Sequence, residues 1–337
     1  MNILFSCAGR RRYLLKYFKD ILSNDDKIIA TDMQYTAPAL SVADIVEIVP
    51  AVYANDYINI LKGICLKHKV DAIISLNDLE LPILSEVKDE FEKIGTTIIV
   101  SSPDIIETCF DKYKTAQFIN SIGLNSPLTF INLDDAINAI CKKKLQFPLI
   151  IKPRWGSGSI GIEMAYDIDD LKIIYSYIKK KLQRTILANV SQVEEDILIQ
   201  EYIDGKEYGL DIMNDLSGNH CGVSIKQKLS MRSGETDKAK TITNKELNAI
   251  GKQIAIELKH IANLDCDILE KNGKYYVLEL NPRFGGGYPF SHEAGVNMPS
   301  AIISWLKNEV PNAEIFKYEP QKIFAKCDII VNVSKSE

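Results

Sequence analysis

Apolar residues in the first hundred positions come in short blocks, Ile3-Leu4-Phe5, Ile28-Ile29-Ala30, Ala72-Ile73-Ile74 and Ile98-Ile99-Val100, separated by longer amphipathic stretches. The blocks predict strands at 2 to 6, 27 to 31, 70 to 75 and 96 to 100, and helical spacing predicts helices from about Arg11 to Leu22, Asp56 to His68 and Leu79 to Phe91. Strands alternating with helices predict an α/β chain opening on a doubly wound parallel sheet, here residues 1–102. Ser102-Pro103 marks a turn, and helices follow from Asp111 to about Ile122 and from about Asp134 to Lys144. A strand running to Lys152, a second at Gly161 to Ala165 and a helix from about Asp167 to Leu182 predict a small lid-like unit at about 125–200. Strands at Glu207 to Met213 and Gly222 to Lys228, a polar loop Ser230 to Thr236, a helix at Asn244 to Ile261 and a hairpin carry a second unit to residue 320. Residues 321–337 read as an edge strand, Lys322 to Val333, and a tail.

The chemistry concentrates in Glu279-Leu280-Asn281-Pro282-Arg283, preceded by Asp267. Strand alternation turns Glu279 and Asn281 to one side, with Arg283 following if the strand holds past Pro282. Carboxylate and amide oxygens suit a hard ion such as Mg2+, and the guanidinium supplies charge where negative charge develops. Upstream, a buried strand ends in Lys152 and runs into Gly156-Ser157-Gly158-Ser159-Ile160-Gly161, where glycines allow backbone N–H groups to close on phosphate oxygens. The stretch Ile197 to Glu207 is a strand, a turn and an acid, suited to an adenine edge and a ribose hydroxyl. Joining Asp267 and Glu279 at one metal has a structural consequence. Regular pairing around a two-residue Asn272-Gly273 turn would set Asp267 opposite Leu278, so the reading requires an odd loop or a bulge at the turn, with Gly273 in a left-handed conformation.

In their order, these pieces resemble the ATP-grasp superfamily of carboxylate-amine ligases, with half-length relatives of the carbamoyl-phosphate synthetase large chain the nearest pattern. The resemblance runs from about Met1 to Pro299 and implies an ATP-grasp fold of two α+β subdomains behind the opening sheet. It implies Lys112 and Lys152 as ATP lysines, Gly156, Ser157, Gly158, Ser159 and Gly161 as the phosphate loop, Glu201, Tyr202 and Ile203 at adenine, and Glu207 at ribose. Asp267, Glu279 and Asn281 are the implied metal ligands, and Arg283 the catalytic arginine, with Lys228 and Arg232 as further candidates that could equally be a solvated basic strand. The implied cofactors are ATP and two Mg2+ ions, with Mn2+ an admissible substitute. The implied reaction is amide formation through an acyl phosphate, against two alternatives: an acyl-phosphate-forming kinase and an inert ATP-binding module.

Composition narrows the partners. The 337 residues carry 40 Lys and Arg against 45 Asp and Glu, net charge -5, interspersed, which argues against nucleic acid or an anionic membrane. No apolar stretch approaches the ~20 residues of a membrane span. Seven scattered cysteines without C-x-x-C and a start lacking a signal-peptide layout lead us to expect reduced thiols in a cytoplasm. Cys7-Ala8-Gly9 and Asp32 fall short of a dinucleotide fingerprint because the later glycines are missing. Small-molecule carboxylate and amine substrates are expected as partners, with a homodimer allowed. Arg10, Arg11, Asn77, Asp78 and Glu80, at the strand ends where open sheets present ligands, are expected to offer both charge signs to them.

Overall fold

The computed structural model describes residues 1–156, 161–184 and 196–333. Its first sheet comprises β1 (Asn2–Ser6), β2 (Lys27–Asp32), β3 (Ile45–Ile48), β4 (Ala72–Ser75) and β5 (Thr97–Ile98), all parallel in the order β3-β2-β1-β4-β5. Helix α1 (Arg12–Lys19) buries Leu14, Leu15 and Phe18, whose ring meets Phe5 edge-on at 5.0 Å. Helix α2 (Tyr57–His68) covers the sheet through Tyr57, Leu61, Ile64 and Cys65. Strand β3, not among the expected strands although Ile45, Val46 and Ile48 are apolar, lies at the sheet edge, where its four residues alternate half-buried and exposed. The helix expected from Leu79 to Phe91 is two, α3 (Leu81–Glu86) and α4 (Lys88–Glu92). Asn77 Oδ1 captures the Leu79 N–H in a turn, and Val87 leaves helical geometry between them.

Helices α5 (Pro103–Phe110) and α6 (Lys112–Ser121) lead to a four-stranded antiparallel sheet. It contains β6 (Thr129–Phe130), β7 (Leu149–Pro153), β8 (Glu163–Ala165) and β9 (Ile197–Glu201) in the order β6-β9-β7-β8. Helices α7 (Leu133–Cys141) and α8 (Ile168–Leu182) pack on it around Leu149, Ile151, Ala165 and Ile199.

The largest sheet is antiparallel: β10 (Lys206–Asn214), β11 (His220–Arg232), β12 (Glu235–Thr241), β13 (Ala262–Lys271), β14 (Lys274–Asn281) and β15 (Ile323–Ala325), ordered β14-β13-β10-β11-β12-β15. One face is apolar, with Leu210, Ile212, Ile225, Leu264, Cys266, Ile268 and Val277 packed on Leu247, Ile254 and Leu258 of α9 (Lys245–Leu258). The stretch Ser230 to Thr236, expected as a loop, is a hairpin: Ser233 and Gly234, at φ 51° and 77°, form the turn between β11 and β12. Of the edge strand expected at Lys322 to Val333, only Ile323–Ala325 pairs, against Lys238 to Lys240 of β12. Helices α10 (Tyr288–Glu293) and α11 (Met298–Leu306) close the sheet against the first one through Tyr288, Met298 and Ile302.

Candidate active site

The face of the large sheet opposite α9 is polar. Alternation turns Glu207, Gly209 and Asp211 of β10, Lys226 and Lys228 of β11, Asp265 and Asp267 of β13, and Glu279 and Asn281 of β14 onto it. Asp267 lies directly opposite Glu279, and Asp265 opposite Asn281. The register shift that this requires is present, but away from the turn. Asn272 and Gly273 (φ 54° and 77°) form a regular two-residue turn between Lys271 and Lys274, and the extra residue is Leu278, between Val277 and Glu279. The core dictates its position. Val277 and Leu280, three apart, both bury on the α9 side, which a straight strand forbids and one bulged residue permits.

The charges on this face are interlocked. Lys228 Nζ bridges Asp267 Oδ1 and Glu207 Oε1, at 2.7 Å each. Burial pushes the Asp267 carboxyl up to about 7; Lys228 works against this, and Asp265 and Glu279 add to it. Burial also opposes charge on Glu279, but Lys112 and Lys152 more than offset it and hold that carboxyl below its ordinary value. Lys152, enclosed on β7, donates to Gln200 Oε1 at 2.8 Å, and burial, reinforced by Lys112, brings its ammonium down to about 8. Lys112 opens α6, where Asp111 caps the helix by accepting from the Tyr113 N–H at 2.9 Å and also receives Arg154 through two bonds of 2.8 and 2.7 Å. Its ammonium donates to the Gly156 carbonyl, and Lys112 and Gly156 line one small cavity with Glu279 and Asn281. Among the described residues no three His, Cys, Asp or Glu side chains form a ready-made metal cage. The donor set here is two acids and an amide.

Arg283 is held by the opening sheet as well as by β13. Its Nε and Nη2 each donate to Asp78 at 2.8 Å, and Nη1 reaches Asp265 Oδ2 and the Phe284 carbonyl at 3.4 and 3.3 Å. Asp78 is therefore a clamp on the arginine. Glu80 does not face the cleft: it is fully buried and accepts from Ser6, Ser75 and Tyr57, and Asn77 Oδ1 is used by its own turn. Arg232 lies outside the cluster, half exposed between Asp237 and Asp328 at 3.0 and 2.7 Å, because β11 continues past Lys228 and carries it to the sheet rim.

At the hinge, the Glu201 N–H and carboxylate pair with Leu128, Tyr202 is exposed and Ile203 is buried. Gly156 and Gly161 both have positive φ, at 101° and 73°, while Ser157, Gly158 and Ser159 lie outside the described residues. Asp265, missed in the sequence, had a signal in strand alternation, since it lies two residues before Asp267 and so on the same face. Gly285-Gly286-Gly287, also missed, had a visible signal as a glycine run. A Cβ at 285 would fall 2.1 to 2.4 Å from the Asp265 carboxylate, so only glycine lets the chain pass so close beside it.

These groups line a cavity of about 340 Å3 that reaches from Cys7, Gly9 and Asp78 at the C-terminal ends of the parallel strands to Asp267, Glu279, Asn281 and Arg283. Residues 109–287 match the family model of the ATP-grasp domain, over half of the sequence, and the chain belongs to that family. Residues 3–99 match the model of the PylC-like N-terminal domain. The carbamoyl phosphate synthase large chain of Buchnera aphidicola subsp. Acyrthosiphon pisum is 29% identical over 218 residues, covering 61% of this chain and 19% of that protein. The N-terminal section of the Aquifex aeolicus large chain is 22% identical over 289 residues, covering 78% and 50%. This chain thus spans half or less of the length of these two relatives. The fold is also that of the biotin carboxylase–β-γ-ATP complex from Campylobacter jejuni, with TM-score 0.74 at 19% identity over 96% of this chain and 74% of that one. Among the described residues no helix is long and apolar enough to cross a membrane.

Proposed function

We propose that this chain is an ATP- and Mg2+-dependent ligase that joins a carboxylate to an amine and releases ADP and phosphate. The observation that carries the reading is the Leu278 bulge, which sets Asp267 against Glu279 beside Asn281, within the field of Lys112 and Lys152. The donor chemistry fits the group. Hard oxygen donors and two lysines converge where a magnesium triphosphate needs both. Asp267, Glu279 and Asn281 would hold two Mg2+ ions, Glu201 to Ile203 and Glu207 the nucleoside, and Lys112, Lys152 and the 156–161 loop the phosphates. When bound, Mg·ATP supplies the phosphoryl group that gives the carboxylate a leaving group, as an acyl phosphate.

The chain's own residues bind and orient. Lys152 places a point charge in an enclosed site, where it acts more strongly than in water. Arg283, fixed by Asp78 and Asp265, keeps one Nη2 hydrogen for the substrate oxyanion, where a preorganised donor contributes about 3 kcal/mol. Lys228, second to Arg283, holds Asp267 and Glu207 and would be available to a substrate oxygen with a metal on Asp267.

The test is ADP release across a panel of carboxylic acids, each with and without amines, using hydroxylamine as a general trap. A ligase gives hydroxamate and ADP in equal amounts. Glu279→Gln and Asn281→Ala abolish both while melting near wild type; undiminished turnover in both variants refutes the assignment. Acyl phosphate accumulating without amine consumption identifies a kinase. ATP binding with no turnover on any pair identifies an inert module.

A further inference from the structure

The sequence leads us to expect both charge signs for the substrate from the strand ends, but Asp78 and Glu80 are already occupied, one by Arg283 and the other by buried hydroxyls. Besides Asp78, Asp265, Asp267 and Glu279, which are engaged by Arg283 or assigned to metal in the ligase reading, one further carboxylate lines the cleft. Glu235, the first residue of β12, receives Arg11 Nη1 on Oε1 and Lys326 Nζ on Oε2, both at 3.0 Å. Arg11 and Lys326 are largely enclosed, their side chains 18% and 20% exposed, while the carboxylate between them is 46% exposed. Tyr13 OH accepts from Arg11 at 3.0 Å, and the Lys326 ammonium lies 5.9 Å from the centre of the Phe290 ring. Two enclosed cations share one open carboxylate, so the cluster has one positive charge in excess and both signs within reach of one small ligand.

Its place in the molecule gives this cluster a role. Arg11 and Glu235 line the 340 Å3 cavity that holds the acids and Arg283, and they also line a second cavity of about 680 Å3, walled by Tyr13, Phe290, Phe324 and Lys326. They stand where the two meet. The backbone beneath them is Gly286, where a Cβ would come within 3.0 Å of the Glu235 carboxylate and 3.2 Å of Arg11 Nη1. Gly286 has no positive φ, so its own conformation does not demand glycine; a side chain there would instead press on the ion pair.

We infer that Arg11, Glu235 and Lys326 form the recognition site for the zwitterionic head of an α-amino acid, with the ammonium on Glu235, the carboxylate on Arg11 and Lys326, and the side chain in the 680 Å3 cavity. A head bearing both charges replaces each bond it displaces. An amine alone leaves the two enclosed cations short of an anion, and an acid alone leaves the Glu235 carboxylate without a cation. Tyr13, Phe290 and Phe324 give this cavity an aromatic side, Arg10, Arg232, Asp237, Glu293 and Asp328 a charged one, and the volume lies within the range that encloses small ligands. This inference rests on the ligase reading, since it supplies one of the two partners to be joined.

The test is calorimetric titration of the full chain, in Mg2+ and a non-hydrolysable ATP analogue, with the common L-amino acids, their D-forms, and the matching decarboxylated amines and deaminated acids. At least one amino acid should bind ten-fold or more tighter than both of its analogues. Glu235→Gln and Lys326→Gln should each erase that preference. Gly286→Ala, which wedges the cluster without altering its charge, should weaken the same amino acid at least five-fold. No binding by any amino acid, equal binding by an analogue, or unchanged preference in all three variants overturns the inference. The ATP analogue is titrated into parallel samples of the same protein in Mg2+ without nucleotide: if it binds and amino acids do not, the head-group site alone fails, and if it does not bind, the nucleotide reading fails as well.

Discussion

Lys152 carries its charge at a cost. Its ammonium ionises at about 8, against 10.5 for an ordinary lysine, because burial strips its water and Lys112 repels it. Below pH 8 the folded protein bears the whole penalty. Between about 8 and 10.5 the folded lysine is neutral while the unfolded one is still charged, so the penalty shrinks with rising pH and ends above 10.5. Lys152→Met should therefore stabilise the protein at pH 7 by about 1–2 kcal/mol, after allowing for the lost Gln200 bond, and the gain should vanish by about pH 10.5 in urea titrations. The same variant should bind ATP at least ten-fold more weakly, and wild-type binding should weaken above pH 8. Lys152 was legible in the sequence because a buried strand ending in lysine before glycines is a local pattern. Asp78 and Glu80 were not separable there: two residues apart and both acidic, they differ only in what folds over them, Arg283 from the far end of the chain or Ser6 and Tyr57 from beneath.

At the scale of elements, two glycines should behave oppositely. Gly63 sits mid-helix in α2, and a Cβ added there would have nothing within 4 Å, so Gly63→Ala should stabilise by about 0.5–1 kcal/mol through helix propensity. Gly285→Ala must displace the Asp265 carboxylate and should destabilise by about 1–3 kcal/mol and lower turnover through Arg283. Thermal melts of the pair with one activity assay check both. The hairpin shows how far pattern reading reaches. That a register shift was needed follows from counting residues between Asp267 and Glu279. Where it falls depends on Val277 and Leu280 competing for one apolar face, which requires knowing that α9 lies there. Ser230 to Thr236 misled for a related reason: at a sheet rim, strands are built from charged residues, and Ser233-Gly234 was the sole turn signal between them.

At the scale of the molecule, the alternating layout of the parallel sheet was plain from its apolar blocks, but the docking of that sheet on the large one was not, since it rests on a core shared by residues far apart in sequence, Phe5 and Phe18 with Phe284, Tyr288 and Met298, and on polar links beside it. Asp78 and Arg283 make the strongest of these links, 10% and 8% exposed, with both acid oxygens engaged. Asp78→Ala should cost about 2–4 kcal/mol, leaving a buried guanidinium with Asp265 alone. It should lower kcat much more than it raises the KM for ATP, because Asp78 bonds Arg283 and neither Lys112 nor Lys152. Urea unfolding and steady-state kinetics measure the two effects.

The Asp78–Arg283 clamp joins positions 205 apart in the sequence. During synthesis Lys112 and Lys152 leave the ribosome well before Arg283 does, while Asp267, Glu279 and Asn281 are made only shortly before it. The carboxylate that will seat that arginine has been waiting since the opening sheet formed. Competence for the reaction therefore arrives late, in one docking event between an early and a late part of the chain.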